Sequence, residues 1–251
     1  MPLRRNILIT GASTGLGRGM ALEFAARGRN LALCARRLEL LEELRAEIGT
    51  RFPRVKVAVR ELDVNDHANV FAVFRDLRDE LGGLDRIIVN AGIGRGASVG
   101  TGYFDANRST AETNVIGALA QCEAALEIFR RDNDGHLVTI ASVAAIRGLP
   151  RAQTVYAASK AALAALTEGI RADVWHTPIR VSAIYPGYIQ SDIGGGGPRK
   201  RPFIVDTATG CRALVRAIER ERPRAYVPWW PWTPIALLMR IVPLALIVKA
   251  S

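Results

Sequence analysis

The chain has 251 residues, 49% of them hydrophobic and 23% charged, which excludes a disordered or fibrous protein and allows one large α/β domain or two small ones. Its net charge of +10 is almost entirely arginine, since only Lys56, Lys160, Lys200 and Lys249 of the 34 basic residues are lysines. These charges are spread through every segment, with Arg199-Lys200-Arg201 the one short run, so nucleic acid is not the expected partner; an anionic cofactor or an anionic membrane surface suits the sign better.

Short apolar runs occur at 6–10, 30–35, 55–61, 86–90, 136–141 and 179–185. Between them, helical periodicity covers 16–27, 38–48, 67–81, 110–131, 154–175 and 207–220. Runs of four to eight apolar residues alternating with longer helices predict βαβ units on a parallel sheet. Right-handed crossovers then give an α/β, Rossmann-like, doubly wound sheet with helices on both faces. No repeat or linker divides the chain, so residues 1–228 are expected to form one domain and 229–251 an apolar helical tail. Cys34, Cys122 and Cys211 lack metal-ligand or CxxC spacing and are expected to be buried small hydrophobes in a reducing compartment. No metal site is expected. Met1-Pro2-Leu3-Arg4-Arg5 runs straight into the first strand without a signal peptide, and a cytoplasmic location is expected.

The first strand ends in Thr10-Gly11-Ala12-Ser13-Thr14-Gly15-Leu16-Gly17 and a helix follows. Glycines here permit a tight turn and close approach of backbone to a pyrophosphate, and the helix N-terminus offers free N–H groups and a positive dipole. The second strand ends in Arg36-Arg37. An acidic residue there would bind the ribose 2′-hydroxyl of NAD, whereas arginine clamps a 2′-phosphate, with Ser13 adding a hydroxyl; NADP(H) is favoured over NAD(H). The plain alternative is that the two arginines only start a solvated helix. Asp63, after the third strand, is placed to meet the adenine, and Asn90-Ala91-Gly92 ends the fourth strand where ribose and nicotinamide would lie.

Farther along, Ser142 precedes Tyr156-Ala157-Ala158-Ser159-Lys160 by fourteen residues. Tyr156 and Lys160 stand one helical turn apart, so a phenol, an ammonium and a hydroxyl can converge on one carbonyl. Lysine is a compact three-donor ammonium, unlike the planar arginine fork this chain uses elsewhere. Taken alone, the pair also suits an i,i+4 contact on a solvated face worth a few tenths of a kcal/mol.

Together these residues resemble the compact short-chain dehydrogenases/reductases, over about residues 5 to 192. The resemblance rests on the TGxxxGxG turn at 10–17, the Asp63-Val64 pair, Asn90-Ala91-Gly92, Asn114, Ser142, Tyr156-xxx-Lys160 and Pro186-Gly187. It implies about seven strands, a homodimer or homotetramer, and four catalytic residues. Tyr156 would exchange the substrate proton, eased by the Lys160 ammonium; Lys160 would also bind the nicotinamide ribose. Ser142 would polarise the carbonyl, and Asn114 would position a water chain to solvent. Pro186, Gly187, Ile189 and Ser191 would meet the nicotinamide, with Ser191 standing where the family usually has threonine. Ser142, Asn114 and the rest also have bland readings as a turn former and a structural amide.

Beyond Pro186-Gly187, the run Gly194-Gly195-Gly196-Gly197 suggests a mobile flap over the site, or a surface loop without a role. Val143, Ala144, Ala145 and Ile146 would line a pocket for an apolar ketone or aldehyde, lipid-derived compounds included. In the tail, Pro228-Trp229-Trp230-Pro231-Trp232 precedes Thr233-Pro234, expected as N-cap and first helical residue, and 235–248 is nearly all apolar. It is too short and interrupted to span a bilayer, and three roles suit it: an interfacial membrane anchor, a lid, or a subunit interface. The function expected is NADP(H)-dependent reduction of a hydrophobic carbonyl, or the reverse oxidation. A non-catalytic NADP(H)-binding regulator is the competing class, and the retained Ser142, Tyr156 and Lys160 argue against it.

Overall fold

The computed structural model describes residues 3–190 and 203–249. Seven parallel strands form one sheet in the order β3-β2-β1-β4-β5-β6-β7: β1 Asn6–Thr10, β2 Asn30–Ala35, β3 Val57–Glu61, β4 Arg86–Val89, β5 His136–Ile140, β6 Arg180–Pro186 and β7 Arg224–Val227. The central strands read as continuous apolar runs because both faces are covered. Alternate residues feed two cores: Leu8, Ala32, Ala58 and Ile87 point to one, Ile7, Ile9, Leu31 and Ile88 to the other. The first core is closed by α3 (His67–Leu81) and α5 (Gly117–Asp132), the second by α1 (Gly15–Ala25), α2 (Leu38–Arg51) and α7 (Thr207–Glu219). The strand order reverses between β1 and β4, which opens a crevice at their carboxyl ends.

The elements follow the expected alternation, with three differences. The seventh strand, β7, lies beyond the last predicted helix. The helix expected at 110–131 instead begins at Phe104: α4 (Phe104–Ala111) runs through a π-helical turn, Glu112–Ile116, into α5. In the tail, α8 spans Trp229–Ile241 with Trp230 extended at its second position, and α9 spans Leu244–Lys249. Thr233-Pro234 is therefore not the helix start. Pro231, with its fixed φ, opens the regular helix, and Pro234 falls within the first turn, where a proline costs least.

At the amino ends of the strands, opposite the crevice, lies a buried polar cluster. Glu221 Oε1 accepts from Arg4 Nε and from Arg86 Nη2, each at 3.0 Å, and Arg4 also donates to Asp134 at 2.6 Å. Arg86 Nε donates to His136 Nδ1 at 2.8 Å, so His136 Nε2–H donates to Ser182 Oγ at 2.8 Å. The ring is neutral: burial, then the nearby Arg86, Arg4 and Arg180 charges, hold it well below the usual histidine range.

Candidate active site

The glycine turn is locked from below. Thr10 Oγ1 accepts from the backbone N–H of Asn90 at 3.0 Å and of Ala91 at 2.9 Å, and Asn90 Nδ2 donates to Thr10 O at 2.8 Å. Gly11 has φ +63, and a side chain there would come within 2.9 Å of the Ala91 α-carbon. One on Gly17 would lie 2.2 Å from the Gly11 carbonyl oxygen. Only glycine fits either position, and the backbone stays open to a ligand. The start of α1 has no side-chain cap and no acidic residue in its first turn, whereas α3 and α7 are capped by Asp66 and Asp206. The free N–H groups and positive dipole of α1 therefore face the crevice unneutralised, as an anion requires.

One cleft at this end is lined by Gly11, Ser13, Thr14, Gly15, Leu16 and Gly17, by Arg36 and Arg37, by Asp63 and Val64, and by Asn90, Ala91 and Gly92. Arg37 Nη2 donates to Thr14 Oγ1 at 3.1 Å and Ser13 Oγ at 3.3 Å, which holds the guanidinium beside the turn. Asp63 uses one carboxylate oxygen to accept from Asn65 N. Cys34 also lines the cleft, but burial raises its thiol, and pushes those of Cys122 and Cys211 up to about 12. All three stay protonated and inert at neutral pH.

At the inner end of the cleft, Gly92, Asn114 and Lys160 converge. A side chain on Gly92 would meet Asn114 Oδ1 at 3.0 Å and Lys160 Nζ at 3.3 Å. Asn114 lies in the π-helical turn; its amide clasps the backbone of Ile93, accepting from the N–H and donating to the carbonyl, each at 2.8 Å. It also donates to Ser159 Oγ at 3.0 Å, and Ser159 donates to Tyr156 O at 2.8 Å. The proton of Ser159 is thus committed, which fixes the orientation of the Asn114 amide. Tyr156, Ser159 and Lys160 come from α6 (Thr154–Asp173). Lys160 is buried and donates to Ile140 O at 2.8 Å, and desolvation brings its ammonium down to about 8. Ser142 caps the short 3-10 turn Val143–Ile146 by accepting from Ala144 N at 3.1 Å, and this turn packs on α6.

Pro186 ends β6, and Gly187 N donates to Val227 O at 2.8 Å. Ile189 turns its side chain toward Gly210 of α7. Ser191 and the four-glycine run lie outside the described residues. Nothing in the sequence pattern gives Thr10, Ser159 or Trp232 its contacts here: Thr10 stands out only as the first residue of the glycine turn, Ser159 only as a spacer within the Tyr-Lys motif, and Trp232 only as part of a tail suited to an anchor, a lid or a subunit interface. Trp232 is buried against Gly187, where a side chain would lie 2.1 Å from the indole.

Residues 5–200 match the family model described as short chain dehydrogenase. An uncharacterized oxidoreductase of Mycobacterium tuberculosis is 54% identical over 240 residues, covering 96% of this chain and 94% of that protein. An NADP-dependent 3-hydroxy acid dehydrogenase of Schizosaccharomyces pombe is 34% identical over 193 residues, 75% of this chain and 73% of the relative. The fold also aligns with a short-chain dehydrogenase from Sphingobium yanoikuyae in complex with NADPH, with a TM-score of 0.81 at 24% identity over 96% and 97% of the two chains.

Proposed function

The chain belongs to the short-chain dehydrogenase family and is an oxidoreductase acting on CH–OH groups; within it, we propose that it is an NADPH-dependent reductase of hydrophobic ketones or aldehydes, working reversibly on the alcohols. The observation that carries this reading is the buried Lys160, with its ammonium near 8, one turn from Tyr156 at the inner end of the glycine-lined cleft. The glycine cradle and the uncapped start of α1 would hold the pyrophosphate, and Arg36 and Arg37 the 2′-phosphate. The NADP dependence of the yeast relative supports the same cofactor. When bound, the cofactor supplies the hydride. Tyr156 gives its proton to the carbonyl oxygen, the Lys160 ammonium favours the phenolate left behind, and Ser142 Oγ–H holds the oxygen in line. Asn114 keeps the Gly92–Ile93 backbone against Lys160. Val143 and Ile146 make the lining beside Ser142 apolar, which suits a hydrophobic body.

Tyr156→Phe tests this directly. With NADPH and a panel of apolar ketones, the variant is expected to lose at least about a hundredfold in kcat. NADPH binding, followed by fluorescence, should stay within about threefold. Wild-type turnover should be faster with NADPH than with NADH. Turnover that survives the loss of the hydroxyl would overturn the proton assignment.

Two further features belong to this reading. The exposed Ile116 and Leu119, on the outside of the helix that carries Asn114, support self-association as a dimer or tetramer. The outward face of α8 and α9 supports contact with a membrane surface. It presents Leu237, Leu238, Ile241, Leu244, Leu246 and Val248, all more than half exposed, and residues 229–249 contain no acidic side chain. Among the described residues, no helix is long and apolar enough to cross a membrane.

A further inference from the structure

Trp232 differs from its neighbours in α8. Trp229 and Trp230 are 72% and 64% exposed, whereas Trp232 is 4% exposed. Its indole is wedged against Gly187, whose missing side chain would sit 2.1 Å from both Cε2 and Nε1, and the Tyr188 ring meets it edge-on at 5.1 Å. It shares a small apolar cluster with Ala141 and Val143, the two residues that flank Ser142. The indole therefore stands between the Ser142 turn and the corner after β6. Arg147, from the loop after that turn, donates to the carbonyls of Met239 and Val242 and fastens α8 in this position.

The Trp232 Nε1–H is buried and finds no acceptor among the described residues. A buried indole N–H normally has a partner, and a stranded donor costs the full desolvation of the group. Trp232 is not among the residues that line the dinucleotide cleft, so a dinucleotide bound there is not placed to supply the acceptor. Resting on the carbonyl-reductase reading, we propose that Trp232 forms the far wall of the substrate site. Its N–H holds a second acceptor oxygen of the substrate, an ester or keto oxygen separate from the carbonyl that is reduced. The class of substrate is then an oxo compound with an apolar body and one additional neutral acceptor, since the side chains packed with the indole, Ala141, Val143, Tyr185 and Tyr188 among them, are uncharged.

The test uses the full chain saturated with NADP+ and labelled with nitrogen-15 at its indoles. The chain has four tryptophans, and the Trp232 signal is identified as the one missing in Trp232→Phe. Titration with β-, γ- and δ-keto esters is expected to move this signal downfield further than any other indole signal. A methyl alkyl ketone of matched size should not. A Trp232 signal that no keto ester moves overturns the proposal, as does one already moved by NADP+ alone, which would give the donor to the cofactor. In kinetics with NADPH, Trp232→Phe keeps a ring as wall but removes the donor. The preference in kcat/KM for the best keto ester over the plain ketone is expected to fall about tenfold. An equal loss on both substrates overturns the donor role. If the wild-type protein turns over none of the ketones, the carbonyl-reductase reading fails instead, and the titration still decides whether Trp232 meets an acceptor.

Discussion

His136 stands at the head of β5 with a guanidinium on one ring nitrogen and a serine hydroxyl on the other. Protonating it would place a second donor against Arg86 in a site already flanked by Arg4 and Arg180, so the folded ring stays neutral where an unfolded one titrates near 6.5. The sign follows from that difference. Above the unfolded value neither state binds the proton; below it only the unfolded state does, and stability falls by about 1.4 kcal/mol per pH unit for this one group. Urea unfolding is therefore expected to lose about 2 kcal/mol between pH 6.5 and pH 5 on this account. His136→Gln, whose amide can accept from Arg86 and donate to Ser182, should remove most of that slope; a variant with the same slope would exclude His136 as its source. No sequence pattern announced this cluster, because its members are far apart in the chain and each reads alone as a surface charge. The glycine turn and the Tyr156–Lys160 spacing were legible for the opposite reason: each is contiguous, and its chemistry restricts the residue types.

Elements with strong periodicity were equally legible. Six strands and the helices α1, α2, α3, α6 and α7 lie where alternation and apolar runs predict them, within a few residues, and α5 fills most of the stretch expected at 110–131. Three other elements had no such signal. β7 has four residues, an exposed arginine among them, and only pairing with β6 makes it a strand. α4 is mostly polar, and the π-helical turn that carries Asn114 is set by tertiary contacts with Ile93 and Ser159 that no local rule reports. The start of α8 was misplaced because the burial of Trp232 outweighs the local capping signal at Thr233. This helix is held at its far end by one side chain, since Arg147 satisfies two carbonyls that its last turn would otherwise leave open. Arg147→Ala is expected to speed amide exchange in residues 236–242 by roughly ten- to a hundredfold while the sheet keeps its protection. Unchanged exchange in that turn would mean that packing of Trp232 and Ala236 suffices.

At the scale of the whole molecule, the tail joins two surfaces: its inner residues press on the candidate substrate site and its outer ones face solvent. With a net charge of +10 and an apolar outer face bearing the exposed Arg240, the protein is expected to sediment with vesicles of phosphatidylcholine and phosphatidylglycerol. Binding should weaken as salt rises or the anionic lipid is left out. Replacing Leu237, Leu238, Ile241 and Leu244 with serine should reduce the bound fraction by at least about a hundredfold in partition coefficient. Equal pelleting of this variant would leave the tail without a role at lipid. The cluster at the opposite end of the sheet has a bearing on how the molecule is made. Arg4 and Glu221 are 217 positions apart, so on a ribosome adding about 5–20 residues per second the arginine emerges roughly 10–40 s before its carboxylate exists. Until then Arg4 has only Asp134 as its counter-charge and Arg86 lacks Glu221, so β1 to β5 assemble around a guanidinium whose carboxylate is not yet made. Closure of the cluster at Glu221 is therefore a late event, and a nascent protein stalled before that residue would be one for chaperones to hold.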